Sequence, residues 1–218
     1  MDRPPRRQTP LPLAPVGEKH QYNGAGYILL GLIIEKLSGV PYFDYVRRHV
    51  FAKAHMPRSE FLALDGVDDQ VAEGYIPITD EAETIIGWKK NIYSTTPEAA
   101  ADGGATSSAE ELVRFSKALR NGDLLSAEMT QQMLTPKVLQ TDERIQGYTW
   151  KYGYGNFFLL DAGEQLVRWG HTGEEDGVSC RLYYYPRENL DVVILGNQSW
   201  CAGSLGWKIH DLILEMTA

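Results

Sequence analysis

From Tyr27 to Leu37 apolar residues cover nearly the whole circumference of a helical stretch, which predicts a helix placed centrally rather than on the surface. Gly39 ends it, and Pro41 starts a second helix, Tyr42 to Phe51, with Phe43, Val46 and Val50 on one face. Ala52 to Thr95 is mixed and turn-rich, with Gly74-Tyr-Ile-Pro-Ile as a short strand; it reads as an excursion that shapes a pocket wall. Leu112, Phe115 and Leu119 then recur at helical spacing behind Ser108 and Glu111, which fit a capping box, and Gly122 closes that helix. Ser126 caps a short helix through Met133, and Pro136 stops it. Tyr148 to Leu160 is an aromatic-rich strand region.

Three strands follow. Gln165 to Thr172 is the first. Val178 to Tyr185 alternates, with Cys180, Leu182 and Tyr184 on one face and Ser179, Arg181, Tyr183 and Tyr185 on the other. Val192 to Leu195 is continuously apolar, as in a strand covered on both faces. Pro186-Arg-Glu-Asn makes the turn between the last two. Ser204 to Met216 is a final helix with Leu205, Ile209, Leu212 and Ile213 facing inward.

Composition narrows the function. The chain has 218 residues, 43% hydrophobic and 23% charged, enough for one domain with a core or a domain in two lobes. Net charge is -8, and the basic cluster Arg3, Arg6 and Arg7 sits in a proline-rich leader, so no nucleic-acid partner is expected. Two cysteines, Cys180 and Cys201, are too few for a disulfide framework or a thiolate metal site, and Cys180 reads as core. The five histidines show no paired ligand spacing; neither metal nor cofactor is expected. Gly24-Ala-Gly26 is no dinucleotide loop, because Leu29 stands where the third glycine belongs and no strand precedes it. No apolar run is long enough to span a bilayer. Leu11 to Val16 is too short and proline-broken for a secretory signal, so the chain as written reads as cytoplasmic, and as periplasmic or secreted if an N-terminal region belongs to it.

The candidate chemistry lies at His171-Thr-Gly, a titratable ring and a hydroxyl beside a residue whose missing side chain lets a ligand approach the backbone. It is the third of three landmarks in order. The others are Tyr22-Asn-Gly-Ala-Gly-Tyr-Ile-Leu-Leu-Gly-Leu-Ile-Ile-Glu and Gly103-Gly-Ala-Thr-Ser-Ser-Ala-Glu-Glu-Leu-Val-Arg-Phe. In register, from about Gly17 to the end, they resemble the serine β-lactamase and penicillin-binding-protein-like superfamily, in its class C and esterase branch.

The resemblance implies an α+β fold of the β-lactamase/transpeptidase type: a helical lobe, about residues 18–145, and an antiparallel sheet flanked by helices, about 146–218, after an extended leader at 1–17. It implies acyl transfer, in which a serine attacks an ester, amide or β-lactam carbonyl and the acyl-enzyme is hydrolysed. A lysine one helical turn after the serine and a tyrosine from the second motif would move protons. Carried onto this chain, Tyr22 is that tyrosine, and His171, Thr172 and Gly173 are the strand motif, where lysine is the commoner first residue. The backbone N–H of Glu174 becomes an oxyanion donor.

Three departures qualify the match. None of the serines has a lysine three positions on, so the Ser-x-x-Lys nucleophile motif is absent. Ser107 and Ser108 read as a helix start rather than as nucleophiles. The second motif is normally Tyr-x-Asn, and here Gly24 stands at the asparagine's place with Asn23 one position early. Glu174-Glu-Asp176 puts carboxylates beside the oxyanion site, where they would oppose developing negative charge unless they point away. The expectation is a serine hydrolase fragment that lacks its N-terminal segment and is inactive alone; the alternative is a non-catalytic ligand-binding or scaffolding descendant. Uncovered apolar faces also predict self-association, as a homo-oligomer or with a complementing N-terminal chain.

Overall fold

A computed structural model describes residues 14–216; the leader expected over 1–17 lies, up to Leu13, outside the described residues. Six antiparallel strands run as a meander: β3 (Val138–Leu139), β4 (Thr149–Tyr152), β5 (Phe157–Leu160), β6 (Leu166–Glu175), β7 (Val178–Tyr185) and β8 (Leu190–Gly196). A separate hairpin pairs β1 (Tyr75–Thr79) with β2 (Ile85–Lys90); the second strand was not expected from the sequence. The helices are α1 (Gly24–Ser38), α2 (Tyr42–Val46) continuing into a π turn at Arg47–Phe51, α3 (Ala109–Asn121), α4 (Ala127–Met133) and α5 (Cys201–Glu215). Helices and antiparallel sheets together make the expected α+β architecture.

The alternation read in Val178–Tyr185 holds residue by residue. Ser179, Arg181, Tyr183 and Tyr185 are buried, and their neighbours are half-buried. The buried face packs on α5, where Tyr183, Tyr185 and Ile213 form one apolar cluster. The inward stripe of α5 is Ala202, Gly206, His210 and Ile213, whereas Leu205 and Leu212, expected inside, are exposed. The stripe follows the smallest residues, which let the helix approach the sheet. A second cluster joins Leu119 of α3 to Phe158, Leu160 and Trp169. Arg120 of α3 pairs with Asp191 of β8 at 2.7 Å, both largely buried.

Four further expectations are corrected. β6 does not end at Thr172; it stays paired with β7 through Glu175, because the turn needs only Asp176 and Gly177. β8 is a sheet edge among the described residues, and Leu195 is exposed, so its apolar run is not covered on both faces. Cys180 is half-buried rather than core. α1 is not central: Gly31 alone among its residues is buried, while Leu29 and Leu37 are 60% and 83% exposed, because nothing among the described residues packs over them. Ser108 caps α3 as expected by accepting from the Glu111 N–H, but Glu111 does not close the box. Its carboxylate instead accepts from the Ser59 hydroxyl at 2.6 Å and the Arg58 N–H at 3.0 Å.

Two predictions follow from the sheet. A Cβ at Gly170 would lie 1.9 Å from the Leu182 carbonyl oxygen, whereas one at Gly173 would meet the Cys180 Cβ at 3.6 Å, an ordinary contact. Gly170→Ala should therefore cost about 2–4 kcal/mol and Gly173→Ala less than about 1.5 in urea unfolding; equal costs would contradict this packing. His210 is fully buried, its Nδ1 3.1 Å from the Tyr185 hydroxyl and its Nε2 3.0 Å from that of Tyr148. Burial first, and the nearby Arg168 charge second, lower its pKa from 6.5 to about 4, against a smaller opposite pull from Asp211. With the folded value below the unfolded one, this stability is complete above pH 6.5 and is lost as pH falls through about 4. From pH 7 to 4 the wild-type chain should lose on the order of 3 kcal/mol more than His210→Gln. Parallel pH profiles would refute the assignment.

Candidate functional site

The site lies where β6 leaves β5. Pairing between them ends at Phe157 and Gly170, so from His171 to Glu175 the strand is held by β7 alone and its other edge has no strand partner among the described residues. His171 stands opposite Leu182 and Thr172 opposite Arg181, so these two side chains leave on opposite faces.

On the His171 side the surroundings are aromatic. The Phe157 ring is 4.7 Å away, centroid to centroid, and the Tyr22 ring 6.4 Å. The imidazole Nδ1 donates to the Thr172 carbonyl at 2.7 Å, and the Nε2 lies 3.3 Å from the Tyr152 hydroxyl. Tyr152 in turn is 3.1 Å from the Tyr27 hydroxyl, and His20 packs on its ring at 4.5 Å. Burial lowers the pKa of His171 against the weaker upward pull of the Thr172 carbonyl, and burial lowers that of His20 too. Tyr152 is raised well above the ordinary phenol range, by burial first and then by its bond with Tyr27. It is a phenol, not a phenolate, at any working pH. A cavity of about 320 Å³ opens here, lined among others by Tyr22, Tyr27, Tyr42, Phe51, Asp102 and His171. Two of these come from α2 and the π turn that ends at Phe51, a helix form that recurs at functional sites.

Of the residues read from sequence, Tyr22 and His171 share this cavity, and Tyr22 is 57% exposed. Asn23 is the N-cap of α1, its side chain accepting from the Gly26 N–H at 3.4 Å. At Gly24 a Cβ would lie 3.0 Å from the Asp102 Oδ2, so a side chain there would meet the Asp102 carboxylate. Thr172 and Glu174 lie on the α5 side of the sheet, away from His171. The Glu174 carboxylate does not face the cavity: it pairs with Arg181 at 2.5 Å and accepts from the Ser179 hydroxyl at 2.9 Å. Of the three carboxylates expected beside the oxyanion position, that of Glu174 is thus turned away and neutralised. Tyr27, Tyr152, Phe157 and His20 were missed, and the one hint of them was the aromatic density of 148–160. Among the described residues no group of three His, Cys, Asp or Glu side chains is placed to hold a metal, and no single helix is long and apolar enough to cross a membrane.

The Glu174–Arg181 pair is largely buried, and the second Glu174 oxygen has no partner among the described residues. Arg181→Met should therefore destabilise by about 3–5 kcal/mol, and adding Glu174→Gln should recover most of it. If the single variant unfolds at the wild-type urea concentration, the pair does not hold the strand.

Comparisons with known proteins show the family and the fold. The Beta-lactamase family model matches residues 5–200. Penicillin-binding protein 4* of Bacillus subtilis (strain 168) is 28% identical over 193 residues, covering 83% of this chain and 40% of its own length. The crystal structure of a penicillin binding protein from Bacillus halodurans is 35% identical with a TM-score of 0.80, over 91% of this chain and 58% of that one. That of an octameric penicillin-binding protein homologue from Pyrococcus abyssi is 31% identical with a TM-score of 0.70, over 86% and 40%. This chain therefore spans between two fifths and three fifths of the length of these relatives. With that family model matching residues 5–200 of its 218, the chain belongs to the Beta-lactamase family.

Proposed function

We propose that this chain forms one side of the site of a serine hydrolase that transfers the acyl group of an ester, amide or peptide, and that the nucleophile comes from residues outside these 218. The observation that carries the reading is that Tyr22 and His171, 149 positions apart, line one cavity at the unpartnered edge of β6. A carbonyl laid along that edge meets the Glu174 N–H as oxyanion donor, with the Glu174 carboxylate facing Arg181 instead. Tyr22 serves in proton transfer between nucleophile and leaving group. His171, a neutral ring where a lysine would bring charge, contributes hydrogen bonding rather than a full positive charge. The site lies between a helical lobe and the sheet.

The nucleophile segment fits the exposed face of α1, which carries Leu29, Leu32, Ile33 and Leu37 away from the sheet and begins two residues after Tyr22. Without it, the same face favours self-association of the chain. The non-catalytic alternative draws on Asn23, whose amide is spent on capping α1.

The test compares the natural protein with the 218-residue chain on a chromogenic ester or amide. The natural protein should turn over, and Tyr22→Phe should lower its kcat by about 10²–10⁴-fold. The chain alone, without a nucleophile, should fall by about 10⁶. Turnover by the chain alone would overturn the reading, and an inert natural protein would favour the binding alternative.

A further inference from the structure

We propose that Tyr152, backed by Tyr27, is a positioning residue that donates to the Nε2 of a His171 ring protonated at Nδ1 toward the Thr172 carbonyl, and so fixes how that ring faces the cavity. The inference rests on the acyl-transfer reading only for the purpose of the ring; the assignment itself stands on geometry. The Nδ1 of His171 lies 2.7 Å from the Thr172 carbonyl oxygen. A carbonyl can only accept, so Nδ1 carries the hydrogen. A neutral imidazole has one N–H, which leaves Nε2 as an acceptor. The group that faces it is the Tyr152 hydroxyl at 3.3 Å, which must then donate. With its own hydrogen committed, the Tyr152 oxygen accepts from Tyr27 at 3.1 Å. The direction is therefore set from Tyr27 on α1, through Tyr152 on β4, to His171 on β6.

The rings lock this arrangement. Phe157 lies 4.8 Å from Tyr152 and 4.7 Å from His171, and His20 covers the other part of Tyr152 at 4.5 Å. The titratable groups around the imidazole are Tyr22, Tyr27 and Tyr152, with His20 one ring farther and Asp102 across the cavity; Arg181 lies on the opposite face of the sheet. Burial favours the neutral ring, in keeping with an Nε2 that accepts. Should the ring take a proton at Nε2, that N–H donates to the Tyr152 oxygen, the Tyr152 hydroxyl turns to donate to the Tyr27 oxygen, and the Tyr27 hydroxyl turns away from Tyr152. The cavity-lining Tyr27 thus senses the protonation state of a ring it does not touch, and no atom moves except hydrogens.

The consequence for the site is specific. Both ring nitrogens of His171 are occupied in the resting arrangement, so the ring presents an edge of fixed polarity to the cavity and is no free base. A ligand that needs an Nε2–H donor has to reverse the tyrosine pair first.

The test uses the chain as it stands, labelled with ¹⁵N-histidine, and reads nitrogen shifts against pH. The wild type should show His171 protonated at Nδ1 and bare at Nε2. Tyr152→Phe should move the Nε2 signal toward that of a free unprotonated nitrogen and raise the titration midpoint by about 0.5–1 pH unit, since the hydrogen bond lost favours the neutral form. Tyr27→Phe should keep the tautomer and give a smaller shift. A wild-type ring protonated at Nε2 would overturn the proposal whether or not the variants fold. So would an unchanged Nε2 signal and midpoint in a folded Tyr152→Phe protein. None of these readouts uses turnover, so failure of the hydrolase reading and failure of the tyrosine assignment are separate outcomes.

Discussion

The pairing of β6 with β7 is the constraint on which the site depends. Seven consecutive partners, Trp169 to Glu175 against Tyr184 to Val178, hold β6 in register, and the last five, from His171 on, do so after its pairing with β5 has stopped. The strands approach so closely at Gly170 that a methyl group would meet the Leu182 carbonyl. Since side chains alternate along a strand, this register decides at once that His171 faces the aromatic cavity and that Thr172 and Glu174 face α5. A slip of one residue would exchange the two sets and turn Glu174 to the face that His171 now occupies.

The sheet thereby separates two kinds of environment. On the α5 side charge is buried and matched. Arg181 pairs with Glu174, and Arg168 lies over the rings of Tyr183 and Trp207 at 4.1 and 4.7 Å while donating to the Tyr185 hydroxyl. Tyr185 then meets His210, which meets Tyr148, so the network ends in neutral groups. On the other side the imidazole of His171 sits among phenols and one phenyl ring, with Asp102 across the cavity. A site that must stabilise developing negative charge is served by this arrangement, because the Glu174 carboxylate is turned to Arg181 on the α5 side.

Much of this was legible in the sequence, and the failures have physical causes. The strand Val178–Tyr185, the turn after it and the caps at Ser108, Ser126 and Gly39 rest on local pattern, which the sequence carries directly, whereas the shared location of Tyr22 and His171 was implied by the family resemblance alone. The reading of α1 as central rested on its apolar circumference, which reports what a helix would bury given a partner; among the described residues no partner covers it. The inward stripe of α5 was misjudged because large apolar residues were preferred over small ones, whereas Ala202 and Gly206 admit the close approach. Tyr27, Tyr152 and His20 escaped notice because they meet His171 or one another only through the fold, at separations no spacing rule covers; Tyr27 and Tyr152 lie 125 residues apart.

The central claim is that a nucleophile from outside these 218 residues completes the cavity holding Tyr22 and His171. The most direct measurement is to label the protein from its natural source with a fluorescent penicillin and identify the modified peptide. The account predicts a modified serine with a lysine three residues on, in a peptide absent from this chain. Modification of a serine within this chain, or of none, would contradict it.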